Sequence, residues 1–378
     1  MRIFLDMDDT QHQAAFRDLP PELLLYIIQY TKEHSSLLPL SSANRALRQL
    51  CASHIFRKLK VAFSIAGMDR LLHISHSRIA PHVREIVYEV PERIDPREYN
   101  LLSIDNLPMM LLVIENYDYF QSRIYTPAEY DRDQNKCFWT FGGKKVPYSN
   151  IFHYFSAQAR EQRLVQEKVR DTEVLITSIP RFRNLETVEM VFTDGIQSPF
   201  RWFAGRVLDC MHALTEHLVK MVAAMMVAKL DGVTIRAFTI SGFYSRLEPA
   251  DPFLLDWVGH ALSHVEELKA INSPTILELL GQVSLPSLRR FGLASCWLSL
   301  ENLEEFVRKQ AASLRFLHLE DTWLLHEKIN EDGIFLSMAN AQSIFNNLKA
   351  IWNIGILDEL TINRRPGGLY EAQARACS

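Results

Sequence analysis

One short pattern recurs along this chain and limits what it can fold into: an apolar residue, two variable ones, an apolar, one variable, and a last apolar. It reads Val83-x-x-Ile86-x-Tyr88, Leu185-x-x-Val188-x-Met190, Ile235-x-x-Phe238-x-Ile240, Leu288-x-x-Phe291-x-Leu293 and Leu314-x-x-Leu317-x-Leu319. Partial copies stand at Leu268-x-x-Ile271 and Leu348-x-x-Ile351. The alternation that closes each copy is the period of a strand, and helical spacing fills the stretches 253–262, 275–280 and 300–310 between copies. A strand and helix that cannot bury their own apolar faces must stack on copies of themselves, which is solenoid logic. The copies start at uneven intervals, so the expectation is an irregular α/β solenoid over 63–378 with a long insertion at about 91–179. That insertion is rich in Tyr and charge and has Gly142-Gly143 and Pro147 as turn signals. Its last part, 156–169, reads as a polar, partly solvated helix.

The segment 16–62 reads as a separate helical module. Pro20 and Pro21 suit a first helical turn, where a missing amide hydrogen costs nothing, and Glu22 sits near the positive end of the helix dipole. Leu23, Ile27 and Tyr30 fall on one line, Leu24 and Ile28 widen it, and Leu25 and Tyr26 carry apolar surface further round. A module this small cannot cover so much apolar surface on so short a helix, so a partner is implied. A second helix is expected from Pro39, with Leu40, Ala43, Leu47 and Leu50 at helical spacing and Arg45, Arg48 and Gln49 outward. Ser53 is expected to cap a third, carrying Ile55, Phe56 and Leu59.

The opening LP-x-E-LL-x-x-I, the later L-x-x-x-NR-x-L-R-x-L and the closing IFRKLKV together resemble the F-box in its fungal style. The repeated units resemble degenerate leucine-rich repeats, which place Asn or Cys where Cys296 stands; in the next unit Thr322 takes that place. These resemblances imply a three-helix F-box that binds a Skp-type adaptor, and through it a cullin, by Leu19, Pro20, Leu23, Leu24, Ile27, Ile28, Leu40, Ala43 and Leu47. They also imply a concave repeat face carrying Glu85, Val87, Glu89, Thr187, Glu189, Thr239, Arg290, Phe316, His318, Glu320 and Trp352. That mixture of Glu, Arg and aromatic side chains fits recognition of a protein. The implied role is the substrate receptor of an SCF-type ubiquitin ligase, with the chemistry left to partner enzymes and no cofactor. A repeat scaffold without a ligase role is the alternative.

Other chemistry has little support. Lys plus Arg (41) nearly balance Asp plus Glu (45), so nothing marks a nucleic-acid binder. Cys51, Cys137, Cys210, Cys296 and Cys377 form no C-x-x-C pair, so neither a disulfide framework nor a zinc site is indicated. Asp6, Asp8 and Asp9 stand where a secretory signal needs an apolar core, and the apolar run 218–227 holds Lys220 and is far shorter than the roughly 20 residues of a membrane span. Cytosol or nucleus is the expected compartment. Asp6-x-Asp8-x-Thr10 is similar to the signature of haloacid-dehalogenase-type phosphatases, with Asp6 as nucleophile and Asp8 as acid/base. Only four residues separate Met1 from Asp6, and no later G-D-x-x-x-D site follows, so this is a remote alternative. His260 and His264 have the i, i+4 spacing of zinc ligands, but Ala261 replaces the Glu of H-E-x-x-H and no third ligand is evident.

Overall fold

The computed structural model describes residues 19–31, 34–43, 45–91, 93–94, 117–140, 145–166, 170–193, 196, 199–200, 203, 208–209, 212–243, 252–330, 333–338, 359–363 and 372–375. It begins with three short helices, α1 (Pro21–Tyr30), α2 (His34–Ala43) and α3 (Arg45–Ile55). Leu24 and Ile28 of α1 pack with Leu37 of α2 and with Leu47 and Cys51 of α3 to form a small separate core. The helix boundaries differ from the sequence reading. Pro39 lies inside α2 instead of starting a helix, and the residues from Arg45 onward form α3. Ser53 does not cap a third helix; it sits within α3 and its hydroxyl donates to the Leu50 carbonyl.

Leu59 belongs to a strand, β1 (Lys58–Ala62), whose alternating exposed and buried residues obey the period of two. The helical module therefore ends before Lys58, not at residue 62. The connection from α3 to β1 is only Phe56 and Arg57, and the Arg57 carbonyl is held by the amides of Arg84 and Glu85 at 2.9 and 3.0 Å.

The remaining strands are β2 (Glu85–Pro91), β3 (Arg93–Ile94), β4 (Thr187–Thr193), β5 (Leu208–Asp209), β6 (Ala237–Ser241), β7 (Glu267–Ile271) and β8 (Arg290–Ala294). They are followed by β9 (Trp297–Ser299), β10 (Phe316–Glu320), β11 (Trp323–Asn330), β12 (Gly333–Met338), β13 (Glu359–Asn363) and β14 (Ala372–Arg375). One nine-stranded sheet runs in the order β1-β2-β4-β6-β7-β8-β10-β13-β14. Its neighbours are parallel as far as β13, and β14 closes the edge antiparallel. The fold is thus mixed α/β with a mostly parallel sheet. Parallel neighbours need long crossovers, and helices supply them: α4 (Ile65–Ser75), α5 (Pro127–Thr140), α6 (Tyr148–Gln166), α7 (Arg170–Ser178), α8 (His212–Leu230), α9 (Pro252–Leu262), α10 (Ile276–Leu280) and α11 (Leu300–Lys309).

The recurring pattern maps onto the register. Leu59, Ile86, Val188, Phe238, Leu268, Phe291, Leu317 and Leu360 form one row of pairing partners across the sheet. Val61, Tyr88, Met190, Ile240, Ala270, Leu293, Leu319 and Ile362 form the second. From Leu59 to Leu319, both rows are buried in one core with side chains of α4, α7, α8, α9, α10 and α11. In β7 the copy in register is Val265-x-x-Leu268-x-Ala270, so Leu268-x-x-Ile271 was set three residues too far on; Ile271 points to the opposite face. Two copies escaped the sequence reading, Phe56-x-x-Leu59-x-Val61 and Leu357-x-x-Leu360-x-Ile362. The expected copy Leu348-x-x-Ile351 lies outside the described residues.

Four strands end in the same turn. Gly242, Asn272, Ser295 and Asp321 follow β6, β7, β8 and β10 directly, and each has a positive φ, between 48° and 76°. The amides of Gly242, Asn272 and Ser295 donate to Ile271, Ala294 and Glu320, each at the end of the next strand, at 2.8–2.9 Å. Beneath this turn the side chains tie units together: the Ser273 hydroxyl accepts from the Phe243 amide at 3.0 Å, the Ser273 amide donates to Cys296 Sγ at 3.4 Å, and the Thr322 hydroxyl donates to the Leu293 carbonyl at 3.2 Å.

The insertion contributes Phe120, Tyr125, Phe152 and Phe155, with Tyr148 packed against them, to a second, aromatic core that Phe203 from the stretch after β4 completes. Here α6 begins well before residue 156 and buries Ile151, Phe152 and Phe155; over 156–166 it buries Ala159, Gln162 and Val165 while Ala157, Arg160 and Glu161 are exposed, the partly solvated helix expected there. Under the main sheet, fully buried Asp171 of α7 accepts from Lys220 of α8 at 2.6 Å, and Lys220 also meets Glu216 at 2.6 Å. Burial, reinforced by Asp171 and Glu216, pushes the neighbouring Tyr88 phenol far above its ordinary range.

The positive φ of Gly242 sets a direct test. A Cβ there would also collide with the Phe192 carbonyl oxygen. Gly242→Ala is expected to lower stability by about 2 kcal/mol or more, measured as a shift of the denaturant midpoint at unchanged slope.

Candidate functional site

Two surfaces remain uncovered among the described residues. The first is on α1. Leu24 and Ile28 face the module core, which leaves the rest of the helix circumference, also apolar, in water. Leu23 is 51 % exposed, Tyr26 58 % and Tyr30 73 %, and Leu25 and Ile27 are exposed as well. Leu19, Leu23, Tyr26, Ile27, Tyr30 and Thr31 line a shallow apolar groove along this helix, and the rings of Tyr26 and Tyr30 lie 5.4 Å apart. Leu38 of α2 adds a further exposed apolar side chain. A contiguous apolar patch of this kind is the signature of an interaction site.

The nine residues nominated for an adaptor divide by burial. Pro20, Leu23, Ile27 and Ala43 are exposed, and Leu19 and Leu40 are half-buried. Leu24, Ile28 and Leu47 are at most 5 % exposed. Those three are corrected from contact residues to core residues, because α1 must anchor itself on α2 and α3 before it can present anything.

The second surface is the sheet face opposite the helices. Side chains alternate along a strand, so between the two buried rows every strand shows its other residues there. Glu85, Glu89, Thr187, Glu189, Thr239, Arg290, Phe316, His318 and Glu320 all occupy this one face, exposed or half-buried, as expected. Val87 shares it but is buried. Trp352 lies outside the described residues, as do Asp6 and Asp8.

The face is laced by ion pairs that the sequence did not announce. Lys58 bridges Glu85 and Glu189, the latter at 3.2 Å, and Lys60 reaches Glu89 at 3.5 Å. Partial burial pulls the Lys58 ammonium down, but the two carboxylates outweigh it and leave it raised. Arg290 meets Glu267 at 3.1 Å, and His318 lies 3.9 Å from Glu320. Lys58 and Lys60 were overlooked because their segment was read as helix; the alternation in Lys58-Leu59-Lys60-Val61 is the signal that reveals them. Beside this face a smaller sheet, β12-β11-β9, carries Trp297 and Trp323 stacked at 5.4 Å, with Trp297 57 % exposed.

His260 is in the last turn of α9 and His264 lies beyond its end, so they do not share a helix, and the described residues hold no group of three or more His, Cys, Asp or Glu able to bind a metal. The Cys51 and Cys296 thiols are buried, and burial raises both. No helix among the described residues is long and apolar enough to cross a membrane. No protein-family model matches this chain, and no characterised protein matches its sequence significantly.

The division of α1 into an inner and an outer face predicts opposite behaviour on mutation. Ile28→Ala and Leu47→Ala are each expected to destabilise the module by about 2–4 kcal/mol. Leu23→Asp and Ile27→Asp are expected to leave its unfolding midpoint within about 0.5 kcal/mol of the parent, as surface substitutions do. Chemical denaturation followed by circular dichroism separates the two groups.

Proposed function

We propose that this chain is the substrate-receptor subunit of an SCF-type ubiquitin ligase, with α1 to α3 as an F-box and the sheet domain as an irregular leucine-rich-repeat-like solenoid. The observation that carries the reading is the outer face of α1: five large apolar side chains, Leu23, Leu25, Tyr26, Ile27 and Tyr30, stay exposed although the module has a closed core of its own. Keeping that surface in water is unfavourable by roughly 25 cal/mol for each Å² of apolar area, and a partner that covers it recovers this. The motif resemblance names a Skp-type adaptor as that partner, linked in turn to a cullin.

The repeat reading is supported by three regularities. Each parallel strand pairs with the next in chain order, two inward apolar rows run across the sheet, and one left-handed turn recurs after β6, β7, β8 and β10. The open face opposite the helices, mixed in charge and bearing Phe316, His318 and Arg290, is the surface offered to a protein target. In this reading the chain does no chemistry; it raises the local concentration of its target beside the ubiquitin-transferring enzymes.

Co-expression with a Skp-type adaptor tests the reading. The pair is expected to co-purify, and Leu23→Asp with Ile27→Asp is expected to abolish co-purification while leaving the fold intact. Undiminished binding by the folded double variant overturns the F-box assignment. Absence of binding by the parent chain favours a repeat scaffold outside any ligase.

A further inference from the structure

On the open sheet face all cations but one have a carboxylate partner among the described residues. Lys58, Lys60 and Arg290 each have a carboxylate partner, and His318 lies near Glu320. Lys269 of β7, half-buried in the same face, has no counter-ion among the described residues. Its register partner on β8 is Gly292, which pairs onward with His318 of β10. The three atoms nearest a Cβ placed on Gly292 all belong to the Lys269 stem, at 3.5–4.0 Å, so Lys269 leans over the glycine. The backbone at 292 does not require glycine, since its φ is not positive. Glycine within a strand weakens the strand and marks a site where another chain approaches closely. In the adjoining row Arg290 pairs with Phe316, whose ring is exposed.

We propose that this notch, with Gly292 as its floor and Lys269, Arg290, Phe316 and His318 around it, seats an acidic side chain from an extended segment of the protein target. Glu267, Glu320 and Glu359 also stand near, but Glu267 is engaged by Arg290 and none of them reaches Lys269. An ammonium without a counter-ion among the described residues gains a charge-assisted hydrogen bond when a carboxylate arrives. The missing side chain at 292 gives the incoming chain room, and Phe316 covers its aliphatic part. At the β1–β4 end of the face the same carboxylate would meet Glu85, Glu89 and Glu189 instead. The inference rests on the open face being the target-binding surface, and is independent of the adaptor assignment.

The experiment is selection of random linear peptides from a displayed library on the immobilised full chain, followed by anisotropy measurements with the synthesised winners. Enrichment of Asp or Glu is expected. Lys269→Glu and Gly292→Val are each expected to weaken the winning peptide by about tenfold or more, the size of one hydrogen bond to a charged group. Selection on Lys269→Glu is expected to turn toward Lys and Arg, whereas Lys60→Glu at the far end leaves affinity unchanged. The proposal is overturned by a selection that yields no peptide, by winners without acidic enrichment, by winners that bind only after phosphorylation, or by affinities indifferent to both notch variants in folded protein. Adaptor co-purification measured on the same preparations keeps the two ideas apart. Intact adaptor binding with a failed selection removes the notch alone, and a specific acidic winner without adaptor binding removes the ligase reading alone.

Discussion

Everything in this molecule depends on covering two rows of apolar side chains that run from strand to strand across one face of a parallel sheet. Each strand contributes only two residues to those rows, such as Ile86 and Tyr88 or Leu317 and Leu319. No strand can bury them without neighbours on both sides and a helix above. The crossovers satisfy both needs at once, because a parallel connection must travel back along the sheet and a helix does so while lying on it. Since each strand answers only to the next, the length of a crossover is free. That freedom lets most of a second, aromatic core sit between β2 and β4 while Tyr88 and Met190 still pair in register.

The helix layer is not purely apolar. Asp171, Lys220 and Glu216 form a charged island against the core, next to the Tyr88 phenol, whose oxygen finds no hydrogen-bond partner among the described residues. An ion pair this enclosed is a weak source of stability, because desolvation offsets much of the attraction. Removing Lys220 would strand the fully buried Asp171, so the pair ties α7 to α8, whereas removing Asp171 would leave Lys220 paired with Glu216.

How much of this could be read from the residues follows from how one-sided each segment is. Strands with one wet face, such as Leu314 to Leu319, gave themselves away because burial on a single side imposes a period of two. The β7 copy was misplaced because Ile271 on the open face is more apolar than Ala270 on the buried one. Leu59 was drawn into a helix because it continues the spacing of the preceding apolar residues, and only its pairing with Ile86 decides otherwise. In α6 only the polar second half was legible as a helix, because the apolar residues Ile151, Phe152 and Phe155 that anchor it lie before residue 156. On α1 the overabundance of apolar residues was legible, but which of them turned inward depended on where α2 and α3 lay. The salt bridges of the open face were out of sight, since most of them join different strands whose register the residues alone do not fix, with separations from 23 positions for Glu267 and Arg290 to 131 for Lys58 and Glu189.

The two-residue passage from α3 to β1 has a mechanical meaning. Phe56 and Arg57 leave no slack, and the Arg57 carbonyl is clamped by the amides of Arg84 and Glu85 at the start of β2. A flexible tether would let the helical module wander through many orientations. A link of two residues, with its carbonyl held at the sheet edge, leaves the helical module far fewer orientations to sample.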